Sequence, residues 1–139
     1  MYIGAQVYTQ GRFDGVTRIG NHVWIGPPVY FDARSLIIED HVGWGPGSKV
    51  LGSAHTGLPI EVPIIETDLE IRPVHVQAWA DIGTGSIILP GVTIGKGSIV
   101  GAGAIGYSQC SNFCHSSWCT RKISPLAGRL HPCRGGNCK

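Results

Sequence analysis

Large apolar residues recur along this chain at hexad spacing, and four positions after each comes a small residue or a valine. The leading residues are Ile19, Ile25, Phe31, Ile38, Trp44 and Val50, then Val76, Ile82, Ile88, Ile94 and Val100. Their partners are Val23, Val29, Ser35, Val42, Ser48 and Ala54, then Ala80, Ser86, Val92, Ser98 and Ala104. Glycine often follows the leading residue, as at Gly20, Gly26, Gly45, Gly83, Gly95 and Gly101. A unit this short holds one strand and one corner, too little for a pair of helices. It predicts an all-β solenoid of stacked coils.

The letters of the repeat follow from that geometry. A leading residue points inward and stacks on its equivalent one coil away. Its partner sits at a corner, where a narrow prism has room for only a small side chain. Glycine takes corner conformations that other residues resist, and Pro46-Gly47 and Pro90-Gly91 are turn dipeptides at the expected corners. Unrelated short strands of a sandwich would not keep strict spacing over the five hexads from Val76 to Val100. Ile3-Gly4 has the form of a further hexad. The pattern pauses at HTGLPIEVPIIETDLE, so residues 55–70 are expected to loop out of the solenoid.

The stretch from Ile82 to Ala104, IGTGSIILPGVTIGKGSIVGAGA, resembles the hexapeptide-repeat acyltransferases. The resemblance covers about residues 16–105 and is closest to sugar O-acetyltransferases and to galactoside- and streptogramin-type acetyltransferases. It implies a left-handed parallel β-helix, whereas the periodicity alone gives only a solenoid. It also implies acetyl-CoA as acyl donor and a homotrimer with active sites between neighbouring subunits. A thin prism with exposed flat faces gains by such packing.

Charge and cysteine divide the chain into two parts. Residues 1–105 carry six basic and nine acidic residues, a net of −3, whereas residues 106–139 carry five basic residues and no acid. All five cysteines lie in that basic tail. We therefore read residues 1–105 as the acyltransferase domain and 106–139 as an atypical, irregular tail. The family ends on a segment of the type AGVPAK, which is missing here. Codons compatible with Cys110 to Ser124, read one base later, spell the family-like VPTFAIAAGVPEKFL, and Trp118-Cys119 forces a glycine at the family's glycine position. The tail thus reads as a frameshifted segment, and the chain as an altered copy. A zinc site is the rival reading, from Cys110, Cys114, His115, Cys119, His131, Cys133 and Cys138. The spacings match no standard zinc frame, and five cysteines without an export signal do not suit a disulfide framework. Apolar runs are broken within a few residues, so no membrane span is expected, and a cytoplasmic location follows by default.

The interrupting loop is the place to look for chemistry, since a rigid scaffold positions it. His55 stands at its point of exit. The segment IEDHVGWGPGSKVLGSAH, Ile38 to His55, lines up without a gap on galactoside-type acetyltransferases. The resemblance makes His55 the general base, which takes the proton of an acceptor hydroxyl as the oxygen attacks a thioester carbonyl. Imidazole suits that task because its pKa lies near working pH. Asp32, on an outer corner one coil before His55, is a candidate either for binding the acceptor hydroxyls or for orienting the imidazole, and Asp68, in the loop, is a further acceptor-binding candidate. The family has an acid at the next position, which here is Ala33. The resemblance puts acetyl-CoA along Gly83, Thr84, Ala102 and Gly103, where small residues let a thin chain lie close to the backbone. Asp81 stands where the family has an aromatic residue, and Trp79 is positioned to replace its bulk.

His22 and His41 fall at outward positions, and His75 precedes Val76. A zinc triad of the γ-class carbonic anhydrase type, on the same solenoid, has two ligands close in sequence. The wide spacing of His22, His41, His55 and His75 does not suit it, so no metal is expected. The function expected is acetyl transfer to a sugar or saccharide hydroxyl, as in polysaccharide synthesis. Antibiotic O-acetylation of the streptogramin type and a non-catalytic trimeric scaffold are the alternatives. The expected partners are a small hydroxyl acceptor and two further copies, with no nucleic acid.

Overall fold

The computed structural model describes residues 2–3, 7–10, 16–32, 34–106 and 115–116. The chain winds as a left-handed parallel β-helix with three flat faces, visited in turn by successive hexads. The first face is Thr17–Ile19, Leu36–Ile38, Val74–Val76 and Thr93–Ile94. The second stacks Tyr2–Ile3, Trp24–Ile25, Gly43–Trp44, Asp81–Ile82, Ile99–Val100 and His115–Ser116. The third is Val7–Gln10, Val29–Asp32, Lys49–Val50, Ile87–Ile88 and Ile105–Gly106. Every neighbouring pair on these faces is parallel.

Register turns the hexads into columns. Ile19, Ile38, Val76 and Ile94 align on the first face. Ile25, Trp44, Ile82 and Val100 align on the second, and Phe31, Val50, Ile88 and Gly106 on the third. Ten of the eleven leading residues are buried, and Ile19, in the first described coil, is half-buried. Trp44 fills the interior edge-on to Phe31, with ring centroids 5.0 Å apart. Its indole Nε1 is buried without a partner among the described residues, a penalty of about 1–3 kcal/mol that the ring's apolar burial offsets.

Two of the expected corner partners are not inside. Ser35 is half-buried, with φ at 86°, and Leu36 takes the interior position in full burial. One extra residue between Phe31 and Ile38 shifts the inward phase, so a large side chain occupies this corner. Ala54 is exposed because the chain has already left the coil, and Val74 fills the vacated position. The extruded segment is a hairpin. Ser53–His55 pairs antiparallel with Leu69–Ile71, and a 3-10 turn, Ile64–Glu66, lies between them.

Past the last hexad, Ile105–Gly106 and His115–Ser116 continue the ladders of the third and second faces. At the other end, Tyr2–Ile3 pairs with Trp24–Ile25, as the hexad form of Ile3-Gly4 implies. The five cysteines and His131 lie outside the described residues, and with them the zinc, disulfide and frameshift readings of the tail.

The edge between the first and second faces carries side chains in the left-handed region. His22, His41 and Trp79 have φ of 54°, 58° and 67°. The two imidazoles stack at 4.8 Å, and Lys96 Nζ sits 3.9 Å from the Trp79 ring centroid, contacts that offset the strain of non-glycine residues there.

The corrected phase is testable by denaturant unfolding. Leu36→Ala is expected to lose about 2–5 kcal/mol, as buried leucines do. Ser35→Gly should be neutral or stabilising, because glycine relieves the left-handed φ. Equal effects of the two substitutions would contradict the inward position of Leu36.

Candidate active site

The hairpin leaves the body at the edge between the third and first faces, and His55 ends its outgoing strand. The imidazole is half-buried, and its Nδ1 lies 3.0 Å from the carbonyl oxygen of Thr67 on the returning side. A carbonyl only accepts, so Nδ1 carries the hydrogen and donates it. Nε2 is then the nitrogen with the lone pair, the form a general base requires. When Nε2 gains a proton, the Nδ1–H bond becomes charge-assisted and stabilises the imidazolium.

The approach to His55 is held from below by Asp32. That residue is only 3% exposed rather than on an open corner. Arg34 Nε and Nη2 donate to its two carboxylate oxygens at 2.8 Å each. The backbone N–H groups of Arg34 and Gly52 donate at 3.3 and 3.2 Å, and Ser53 Oγ donates at 3.3 Å. Burial opposes the charge and is the largest single influence. The Arg34 side-chain bond, the two backbone bonds and the Arg34 charge together outweigh it and hold the carboxyl below its ordinary value. The carboxylate expected to meet acceptor hydroxyls is thus engaged by the chain itself. It pins Gly52 and Ser53, just before His55.

Asp68 is exposed on the returning side, and its backbone carbonyl accepts the Thr56 N–H at 2.9 Å. Thr67, which the sequence did not single out, is the buried residue of the hairpin at 7% exposure. Its hydroxyl donates to the Ile64 carbonyl at 2.7 Å and accepts the Gly57 N–H at 3.2 Å. Nothing in the letters marked it, because its partners are set by the fold of the hairpin.

Gly83, Thr84, Ala102 and Gly103 do come together, stacked on adjacent coils at the edge between the second and third faces. The Gly103 N–H donates to the Thr84 carbonyl at 2.8 Å. A Cβ on Gly83 would fall 2.5 Å from Ala102 N, so this glycine lets the coils close. Gly103 has φ at 69°, and a Cβ there would meet nothing within 4 Å. The outer side of this edge is therefore small and open. Within one chain it is a different edge from the one that launches the hairpin. Trp79 does not take the aromatic position before Ile82: it sits on the third remaining edge, under Lys96. Ala33 lies outside the described residues. His75 pairs instead with Glu39 at 2.6 Å, on the first face. Among the described residues no three His, Cys, Asp or Glu side chains gather as a metal site. No helix there is long and apolar enough to cross a membrane.

The chain matches a Schizosaccharomyces pombe protein named as an acetyltransferase, 35% identical over 77 residues, or 55% of this chain and 36% of that one. It matches the Escherichia coli K12 galactoside O-acetyltransferase at 30% identity over 106 residues, or 63% of this chain and 52% of that one. A hexapeptide-repeat acetyltransferase of Vibrio cholerae, solved in complex with acetyl coenzyme A, superposes with a TM-score of 0.62 at 26% identity. That superposition covers 68% of this chain and 51% of the other. The repeat and the fold are those of the hexapeptide-repeat acyltransferases. No protein-family model matches the chain. The chain spans about half or less of the length of the relatives it matches. On this hexapeptide-repeat scaffold the hairpin is the single excursion between the described coils, and it carries His55.

The Asp32 network predicts an acid-sensitive stability. A carboxyl held low in the fold contributes fully above its ordinary value of 3.8. That contribution is lost as the pH falls through the lower folded value. Unfolding midpoints of the native chain should therefore drop on strong acidification. Asp32→Asn should start less stable at neutral pH and show a shallower drop. Parallel pH profiles for the two would contradict the assignment.

Proposed function

We propose that this chain is an acyl-CoA-dependent O-acyltransferase domain that transfers acetyl from acetyl-CoA to a sugar or saccharide hydroxyl. The observation that carries the reading is the His55 imidazole with its Nδ1–H on the Thr67 carbonyl. Nε2 then takes the proton of the acceptor hydroxyl, and the oxygen's electron pair attacks the thioester carbonyl. The carbon–sulfur bond breaks, and the sulfur leaves as the thiol with the proton from Nε2–H. A backbone N–H is the expected donor to the carbonyl oxygen as charge develops there. The name of the Escherichia coli relative supports the sugar acceptor, and the acetyl coenzyme A complex of the Vibrio cholerae protein supports the donor.

The open edge at Gly83, Thr84, Ala102 and Gly103 is the track on which the pantetheine arm would lie. It suits a thin chain, because nothing projects from Gly85 or Gly103 to obstruct it. His55 and this track belong to different edges of one prism. A homotrimer would bring the hairpin of one copy to the track of the next. The hairpin has the surface for such packing: Ile60 is 81% exposed and Ile65 77%, with Leu58, Ile64, Leu69 and Ile71 also exposed. Apolar groups gathered this densely on a surface are usually covered in the working assembly.

His55→Ala should lower turnover in an acetyl-CoA thiol-release assay by roughly two to four orders of magnitude, the usual worth of a general base. Acetyl-CoA affinity should stay near native, since the imidazole acts on the acceptor. Full activity in His55→Ala would remove the assignment. Sedimentation should give a trimer that Ile60→Asp with Ile65→Asp dissociates, and an active native monomer would refute the assembly.

A further inference from the structure

The buried apolar cluster of the protein contains no residue between Val50 and Val74. The hairpin that presents His55 therefore has no hydrophobic core of its own. From Ser53 to Pro73 a single side chain belongs to a buried residue, and that residue is Thr67. Its hydroxyl is placed between the two sides of the hairpin. It accepts the N–H of Gly57 on the outgoing side and donates to Ile64 at the start of the 3-10 turn. Its own N–H also reaches the Ile64 carbonyl, at 3.1 Å. These bonds hold Thr67, the residue whose carbonyl receives Nδ1–H of His55.

We infer that the Thr67 hydroxyl is the positioning group that fixes the ring orientation and tautomer of His55. Its functional meaning rests on His55 being the base, but the geometry stands without that reading. Without the hydroxyl, the Gly57 N–H loses its acceptor, and Thr67 is left with its backbone N–H bond to Ile64 and no bond to the outgoing side through its side chain. The Thr67 carbonyl then no longer stays under Nδ1, and the imidazole redistributes its proton between the two nitrogens. The two groups are twelve residues apart in sequence, and the Thr67 hydroxyl ties them just beyond the end of the Ser53–His55 and Leu69–Ile71 ladder.

The test is long-range proton–nitrogen correlation NMR of the full chain above the imidazole pKa, with His55→Ala assigning the His55 signals. The native ring should show Nδ1–H and an unprotonated Nε2. Thr67→Val, which keeps the branched shape and removes the hydroxyl, should move the ring to a mixture or to Nε2–H. Thr67→Ser should restore the native pattern. If the valine variant instead loses the hairpin's amide dispersion while the serine variant keeps it, the staple is equally supported. A Thr67→Val ring that keeps Nδ1–H, or a Thr67→Ser ring that does not recover it, overturns the inference. In turnover, Thr67→Val should lower kcat about tenfold, the scale of one lost hydrogen bond, with KM for acetyl-CoA unchanged. A native chain that transfers no acetyl but shows the tautomer switch would leave Thr67 assigned and remove the acyltransferase reading. Acetyl transfer that ignores Thr67→Val would do the reverse.

Discussion

Each coil of this solenoid must hydrogen-bond to the next around its whole circuit, and coils in such a ladder lie about 4.8 Å apart. The interior left by that constraint is one side chain wide. The three inward columns, the small or aliphatic corner residues and the close-approach glycines all follow from it. Gly45 N reaches Ile82 O at 2.7 Å, and Gly83 N reaches Val100 O at 2.8 Å. A Cβ on either glycine would fall 2.5 Å from the next coil's backbone nitrogen. The scaffold is rigid because the columns and the ladder enforce one another.

Departures from the ladder are therefore informative. The chain leaves after Gly52 and returns at Val74, and the ladder closes across the gap: Lys49 N meets Ser86 O and Leu51 N meets Ile88 O. The excursion thus leaves the stack unbroken. It has no core of its own, so polar contacts order it. Asp32 holds its root through Gly52 and Ser53, and Thr67 ties its two sides. Both arrangements converge on His55. A buried carboxylate of this kind is tolerable because a two-pronged guanidinium and three further donors satisfy it.

The repeat was legible because one spacing dictates which residues face inward, and the columns Ile38–Val76–Ile94 and Trp44–Ile82–Val100 follow it. The break at Ser35 was not, since a six-residue frame carried across Phe31 to Ile38 hides the added residue that turns Leu36 inward. Ala54 fits the letters of the repeat yet lies outside, because the letters do not mark where the ladder is abandoned. His55 was legible as a position, at the exit of an insert. Its orientation was not, since the group that holds it is a backbone carbonyl, which every residue has. The partners of Asp32 were likewise hidden, because Gly52 and Ser53 meet it only once the next coil is laid down.

Whether the hairpin's own polar contacts order it on the rigid stack can be read residue by residue by native-state hydrogen exchange. The amides of Gly45 and Gly83 should exchange only through opening of the coils themselves. Those of Thr56 and Gly57, bonded to the Asp68 carbonyl and the Thr67 hydroxyl, should exchange through an opening of lower free energy. They should still be at least about tenfold slower than in a free peptide. Free-peptide rates at Thr56 and Gly57 would contradict the account, because no ordered carbonyl would then be in place to orient His55.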